Sequence, residues 1–402
     1  MCIRDRTIGI GSAIAKTGDP DLPKISAQDL IAKMAASDTQ RMSGTFKIST
    51  DLGLPSLPSG LSLGTEGKHG GKGGEAPSPQ AKLTELASGT HTLRMAFDGP
   101  DKQRLSIVER AAEYSVIHNG ADVWAYDSAG NTAYHAKAPQ GGKHEASGRK
   151  DMKDLGGVSP QELAKKVVAA ADDTTAIAVD GTAKVAGRDA YQLTIKPKQG
   201  DSTVGSIRIA VDAKNGVPLK FTLAAKSGGK AVVDAGFTKV DFGAPSADTF
   251  AFTPPKGTKV TEGDAKGHGP AQRERGRDHG AELSGALGMP GIGGGDASGG
   301  KVLGKGWSSI ATFDAGKDAG AGLNGKGKGV QGKGAEAKGK DAKGQGEAAA
   351  LLDSFGSKVS GDFGSGRLFS TRIVNALMTD DGKVYVGAVS KDALVKAANA
   401  AK

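Results

Sequence analysis

Apolar and polar residues alternate along three runs between Asp189 and Val260. Tyr191, Leu193 and Ile195 alternate with Gln192, Thr194 and Lys196. Ile207, Ile209 and Val211 alternate with Ser206, Arg208 and Ala210, and Leu219, Phe221 and Leu223 with Lys220, Thr222 and Ala224. A period of two sends successive side chains to opposite faces, so each run predicts a strand with one apolar and one wet face. Asn215-Gly216 and Gly228-Gly229 fall between the runs, where hairpins need residues that tolerate positive φ. The stretch ends on Phe250-Ala251-Phe252-Thr253-Pro254-Pro255-Lys256-Gly257. Proline cannot donate to a ladder, so the two prolines are expected to close the sheet. The whole stretch reads as an antiparallel meander.

The N-terminal half carries the same signal. Ser26-Ala27-Gln28-Asp29 has the form of a capping box, and Leu30, Ile31 and Met34 follow at helical spacing, predicting an amphipathic helix over 27–37. Phe46 and Ile48 mark a strand over 42–50. Leu93, Met95 and Phe97 share a face, as do Leu105 with Ile107 and Tyr114 with Val116. Asp98-Gly99-Pro100-Asp101 and Asn119-Gly120 turn the chain between strands. Val123 to Tyr126 and Asn131 to His135 predict two more strands. Ser159-Pro160-Gln161-Glu162 opens a second helix, with Leu163, Val167 and Val168 on its apolar side. The residues from Thr174 to Val185 lead into the meander.

Periodicity is lost over 51–78, where an apolar Leu-Pro segment gives way to a glycine-rich insert at 64–78, and again over 263–300 and 314–346. One strand is expected over 307–313. Beyond 348, Leu351, Leu352 and Phe355 predict a short helix, and the stretches 367–377 and 383–389 a hairpin over Thr379-Asp380-Asp381-Gly382. Ser390 caps a last helix. The expected organisation is a leader at 1–22, a main domain at 23–260, a Gly/Lys-rich linker at 261–346 and a C-terminal extension at 347–402. That extension is either a small subdomain or extra strands for the main sheet.

Composition narrows the reading. The 402 residues include 63 glycines and only 4% aromatics, so the folded part is well short of the full length. The net charge is +9, but many lysines sit in low-complexity Gly/Lys/Ala tracts without the interleaved aromatics of a nucleic-acid platform. No nucleic-acid partner is expected. Cys2 is the only cysteine, which excludes an intramolecular disulfide and a cysteine metal site. Arg4 and Arg6, the short apolar run from Ile8 to Ile14 and Ala13-Ile14-Ala15 resemble the end of a truncated secretory signal, so export is expected.

Catalytic patterns fail on context. Gly60-Leu61-Ser62-Leu63-Gly64 has the letters of a nucleophile elbow, without the strand before it or the helix after it. Gly320-Ala321-Gly322-Leu323-Asn324-Gly325 has the letters of a dinucleotide fingerprint, but no strand precedes it. The seven histidines lack metal-ligand spacing. The expectation is a protein without cofactor or metal and without enzymatic activity.

The order of helix, strands, long loop, helix and strands resembles the LolA-type family of lipoprotein carriers, with its LppX-like and RseB-like relatives among envelope lipid carriers and anti-sigma-factor-binding sensors. The residues that carry this are the capped helix at Ser26, the hairpin from Asn119 to Tyr126, Tyr191-x-Leu193-x-Ile195 and, most specifically, the closing Phe250 to Gly257 motif. The resemblance covers about 23–260. The overall look is similar to exported proteins of high-GC Gram-positive bacteria. The resemblance implies an α+β fold: a curved antiparallel β half-barrel covered by helices, holding acyl chains against its apolar face. The expected wall is Leu30 and Met34 on the lid helix, with Phe46, Leu93, Met95, Leu105, Ile107, Tyr114 and Val116 on the first strands. Trp124, Leu193, Ile195, Ile207, Ile209, Phe221 and Leu223 complete it. The same residues suit a closed core, which alternation does not distinguish. The implied partners are lipid or lipoprotein acyl chains at the cell envelope, with membrane-surface or membrane-protein contact. The alternative is an extracytoplasmic sensor binding a membrane protein such as an anti-sigma factor, with 351–400 as the partner-binding element.

Overall fold

The structure is a computed structural model that describes residues 19–53, 86, 88–137, 173–263, 300–315 and 356–401. It begins with helix α1 (Ala27–Ala35), whose Ser26 hydroxyl accepts the Asp29 amide at 3.0 Å, the cap that its sequence predicts. Five hairpin-linked strands follow β1 (Arg41–Thr50): β2 (Gly89–Asp98), β3 (Lys102–Val108), β4 (Glu113–Asn119), β5 (Asp122–Asp127) and β6 (Thr132–Lys137). The meander contains β8 (Arg188–Pro197), β9 (Val204–Asp212), β10 (Pro218–Ala225) and β11 (Val233–Asp241). The lead-in at 174–185 is itself a strand, β7 (Thr175–Val185), at the sheet edge beyond β8. Gly216, with φ +73, serves the β9–β10 turn, and a Cβ there would come within 2.5 Å of the Lys33 carbonyl oxygen of α1.

These strands make one twelve-stranded sheet in the order β12-β6-β5-β4-β3-β2-β1-β11-β10-β9-β8-β7, where β12 is Lys259–Gly263. Its two meanders meet where β1 pairs antiparallel with β11. The sheet is open and the described residues are mostly β, so the expected α+β half-barrel is met in part, with helical cover of this sheet at α1. Among the described residues, only α1 lies against it as a helix, over Tyr191, Leu193 and Val211. The helix expected at Ser159 and the one expected at 351–355 lie outside the described residues, as do the expected leader and the Leu-Pro and glycine-rich loop at 54–78.

The closing motif does not end the sheet. Prolines 254 and 255 interrupt pairing, as their missing N–H dictates, but the chain then turns at Gly257 (φ +81) and β12 adds a parallel edge strand to β6. The Lys259 amide bonds the Asn131 carbonyl at 3.1 Å, and the Thr258 hydroxyl bonds Asn131 Oδ1 at 2.8 Å.

The C-terminal strands form a sheet of their own, in the order β13-β14-β18-β17-β16-β15. They are β13 (Lys301–Leu303), β14 (Ile310–Asp314), β15 (Ser357–Gly361), β16 (Gly364–Ser370), β17 (Asn375–Thr379) and β18 (Lys383–Gly387), followed by helix α2 (Lys391–Ala400). Two sequence expectations shift here. Trp307 lies in a single 3-10 turn ahead of β14, because Gly304 and Gly306 take positive φ and hold the chain out of extension. The stretch 367–377 is two strands, broken where the Thr371 hydroxyl bonds the Ile373 and Val374 amides at 3.2 and 2.8 Å. The expected hairpin over 379–382 is present, and Ser390 caps α2 through the Ala393 amide. Leu368, Leu377, Tyr385, Val389 and Leu394 make this sheet's core against α2.

Candidate functional site

The register of the large sheet sorts the expected wall residues by face. Phe46 stands opposite both Leu93 and Phe237, Leu93 opposite Ile107, and Ile107 opposite Tyr114. Met95 stands opposite Leu105, and Leu105 opposite Val116. Across the junction, Ile48 pairs with Ala235, Ala235 with Phe221, Phe221 with Ile209, and Ile209 with Leu193. Leu223 pairs with Ile207, and Ile207 with Ile195. One continuous apolar face results, because in a ladder directly paired residues point the same way. Leu30 is fully buried against it, with Met34 beside it.

Trp124 is the exception. It pairs with Ile117 and His135, on the opposite face. Its strand is apolar on both sides: Val123 and Ala125 face the apolar side, while Trp124 and Tyr126 face the other. The reason lies far along the chain. Phe252 crosses the back of the sheet and sets its ring 5.3 Å from both Trp124 and Tyr126. Phe250 beside it is almost fully buried. Trp124 is therefore packing for the closing motif and stands apart from the other wall residues.

The apolar face is unevenly covered. Leu93, Ile107, Tyr114, Leu193, Ile207 and Leu223 are buried, whereas Phe46, Met95, Leu105, Val116, Ile209 and Phe221 are only half-buried. Part of the cover comes from the second sheet, whose Ile373 and Ala388 are buried in one cluster with Val204, Ile207, Leu223 and Val232. Nothing in the periodicity of 367–389 signals this contact, since both faces of those strands carry apolar residues.

Away from Trp124, around Arg104, Ser106, Glu113 and Ser115, the opposite face is polar and its chemistry is ionic. Arg104 reaches Glu113 at 3.2 Å, and Glu113 accepts the Ser115 hydroxyl at 2.5 Å. Burial acts to raise the Glu113 carboxyl, but hydrogen bonds from Ser115, Ser106 and Arg104 outweigh it and hold the group below its ordinary value. A cleft of about 220 Å³ lies over these residues with Arg94, Met95, Ala96 and Thr249 on its walls. It opens on the face that carries Arg94, Arg104 and Glu113, and those charged groups do not suit an acyl chain. At the β5–β6–β12 edge, both His135 ring nitrogens lie 2.8 Å from a carboxylate, of Asp122 and Glu262. Lys137, first, and His135 lower the Asp122 carboxyl. Among the described residues, no group of His, Cys, Asp and Glu is arranged to hold a metal ion, and no helix is long and apolar enough to cross a membrane. The nucleophile-elbow and dinucleotide letters at 60–64 and 320–325 lie outside the described residues.

No family model matches the chain. A curated outer-membrane lipoprotein carrier protein of Vibrio parahaemolyticus is 39% identical over 71 residues, which are 18% of this chain and 33% of the carrier. The chain thus spans about a third of the length of the curated relative it matches. Among solved structures, it is similar to the MucA/MucB complex of Pseudomonas aeruginosa, at 14% identity over 92% of this chain and 96% of that one, with a TM-score of 0.36. It is also similar to a LolA superfamily protein of Nitrosomonas europaea, at 11% identity over 57% and 99% of the two chains, with a TM-score of 0.19. A putative outer-membrane lipoprotein-sorting domain from Vibrio parahaemolyticus is 12% identical over 56% and 95%, with a TM-score of 0.20. The likeness to LolA-type lipoprotein carriers, read first from strand order and the closing motif, is borne out by the match to the curated carrier.

Proposed function

We propose that this is an extracytoplasmic binding protein that holds lipid acyl chains, free or on lipoproteins, against the apolar face of its large sheet. The observation that carries the reading is the continuous apolar row on which Phe46, Met95, Leu105, Val116, Ile209 and Phe221 stay half-buried. Side chains of this kind, left short of full burial on one face, gain from covering by hydrocarbon. Each methylene taken from water contributes about 0.8 kcal/mol, so a long acyl chain needs no charged anchor to be held. The match to a lipoprotein carrier supports the same reading. The role is binding and release, with no bond made or broken.

A second reading is favoured by one observation on the C-terminal sheet. Val302 and Phe313 are 63% and 45% exposed, and they lie on the face away from α2, with Ala311 of β14 and Val386 of β18 in register with Val302 on the same face. An apolar face of this kind suits a protein partner, as in the sensor alternative. Native mass spectrometry of protein purified from its own host separates the two. Co-purifying lipid supports the carrier. A stoichiometric polypeptide supports the sensor. Protein at its bare sequence mass, even from gently lysed cells, counts against both.

A further inference from the structure

We infer that the second sheet is the end wall of the apolar face and sets the length of acyl chain it accepts; this rests on the acyl-binding reading above. Ile373 and Ala388, 3% and 8% exposed, are buried with Ile207 and Leu223, and Val374 and Trp307 pack against the same cluster. These residues meet only one end of the strands, the end of β1 at Thr50. Toward the other end of β1, Phe46, Met95, Leu105 and Val116 stay half-buried beside the buried Met42, Leu93 and Phe237.

The wall is fixed by backbone bonds. The Thr203 amide donates to the Ala388 carbonyl at 3.0 Å, the Ser390 amide to the Asp201 carbonyl at 2.7 Å, and the Arg372 amide to the Leu52 carbonyl at 2.9 Å. The Arg372 guanidinium adds bonds to Asp51 Oδ2 at 3.0 Å and to the carbonyls of Gly228 and Lys230. A wall held in this way stops a chain at a set depth. Ile373, Val374, Ala388 and Trp307 bring hydrocarbon to the cluster, and the indole N–H of Trp307 is spent on the Thr175 hydroxyl at 2.8 Å. A methyl terminus, with nothing to hydrogen-bond, is the end of an acyl chain that belongs there.

The chain has two tryptophans, so Trp124→Phe leaves Trp307 as the sole emitter. The probes are palmitate brominated at its terminal carbon and palmitate brominated beside its carboxylate. The terminal bromine is expected to quench most of the Trp307 emission and the other to leave it unchanged, at equal occupancy. Equal quenching by both, or none by either while both bind, overturns the inference and leaves the carrier reading standing. Failure of both to bind sinks the carrier reading and the inference together. As a second measurement, Ile373→Ala opens room at the wall and is expected to raise affinity for the next longer chain by about fourfold per methylene accommodated. An unchanged length preference in that variant, with binding retained, also overturns it.

Discussion

Placing a carboxylate on the apolar face tests whether that face is a ligand wall or a closed core, and the outcome depends on where it is placed. Leu105 stands between Met95 and Val116 and is half-buried. Its replacement in Leu105→Asp forfeits about 1 kcal/mol, half the burial of a leucine, and the new carboxylate keeps access to water. Against a stability of about 5–15 kcal/mol, the fold survives. An acyl chain crossing the charge loses contact over about four methylenes, or about 3 kcal/mol, which is roughly a hundredfold in Kd. Leu193 is 2% exposed and packed with Leu30 and Val211, so Leu193→Asp forfeits about 1.5–3 kcal/mol and buries an unpaired carboxylate as well. That variant is expected to lose the fold along with binding. The assay is titration with a fluorescent fatty acid alongside thermal melting. A Leu105→Asp protein that melts cooperatively and binds within threefold of the parent would refute the reasoning.

Three further outcomes follow from particular contacts. Asp212 is fully buried, paired with Arg188 and bonded by the Lys214 and Asn215 amides at 2.9 and 2.6 Å, so Asp212→Ala is expected to cost about 3 kcal/mol or more in urea unfolding. Burial raises its carboxyl, but Arg188 and the two amides lower it further, so its folded value lies below the ordinary one. Its stabilisation is therefore complete above the unfolded value of about 3.9 and is lost as pH falls through the folded value; parent and variant should converge in acid, and a constant difference across that window contradicts the assignment. Arg372→Ala removes the guanidinium bonds to Asp51 and two carbonyls, worth about 2 kcal/mol together, and amide exchange at Arg372 and Ser390 should accelerate before that of β2–β4. Phe252→Ala should cost about 2 kcal/mol, shift Trp124 emission to the red and speed exchange in β12; an unshifted spectrum would show that the closing motif does not pack there.

Much of the architecture was legible in the chain because its signals are local. The Ser26 and Ser390 caps, the Asn119-Gly120 turn and the alternations in β1–β4 and β8–β10 each depend on a few neighbouring residues. Alternation also brought almost all of the expected wall to one face, since parity along a strand and pairing between strands preserve it. Trp124 escaped because β5 is apolar on both sides, and alternation cannot rank two greasy faces. Its orientation was decided by Phe252, more than a hundred positions away. Likewise, the missing N–H of the prolines at 254 and 255 is a local property that predicts a break in pairing, but the return of the chain as β12 is not local information.

The sequence by itself determined which residues share a side of each strand, where the helices start and where the chain turns, because steric and hydrogen-bonding preferences act over a few residues. Tertiary structure alone decided that β1 joins β11, that β12 runs parallel beside β6, and that Ile373 and Ala388 pack with Ile207 and Leu223. Those contacts join segments far apart in the chain. Burial of apolar surface rewards them without regard to sequence distance, so no short pattern announces which partner will be found.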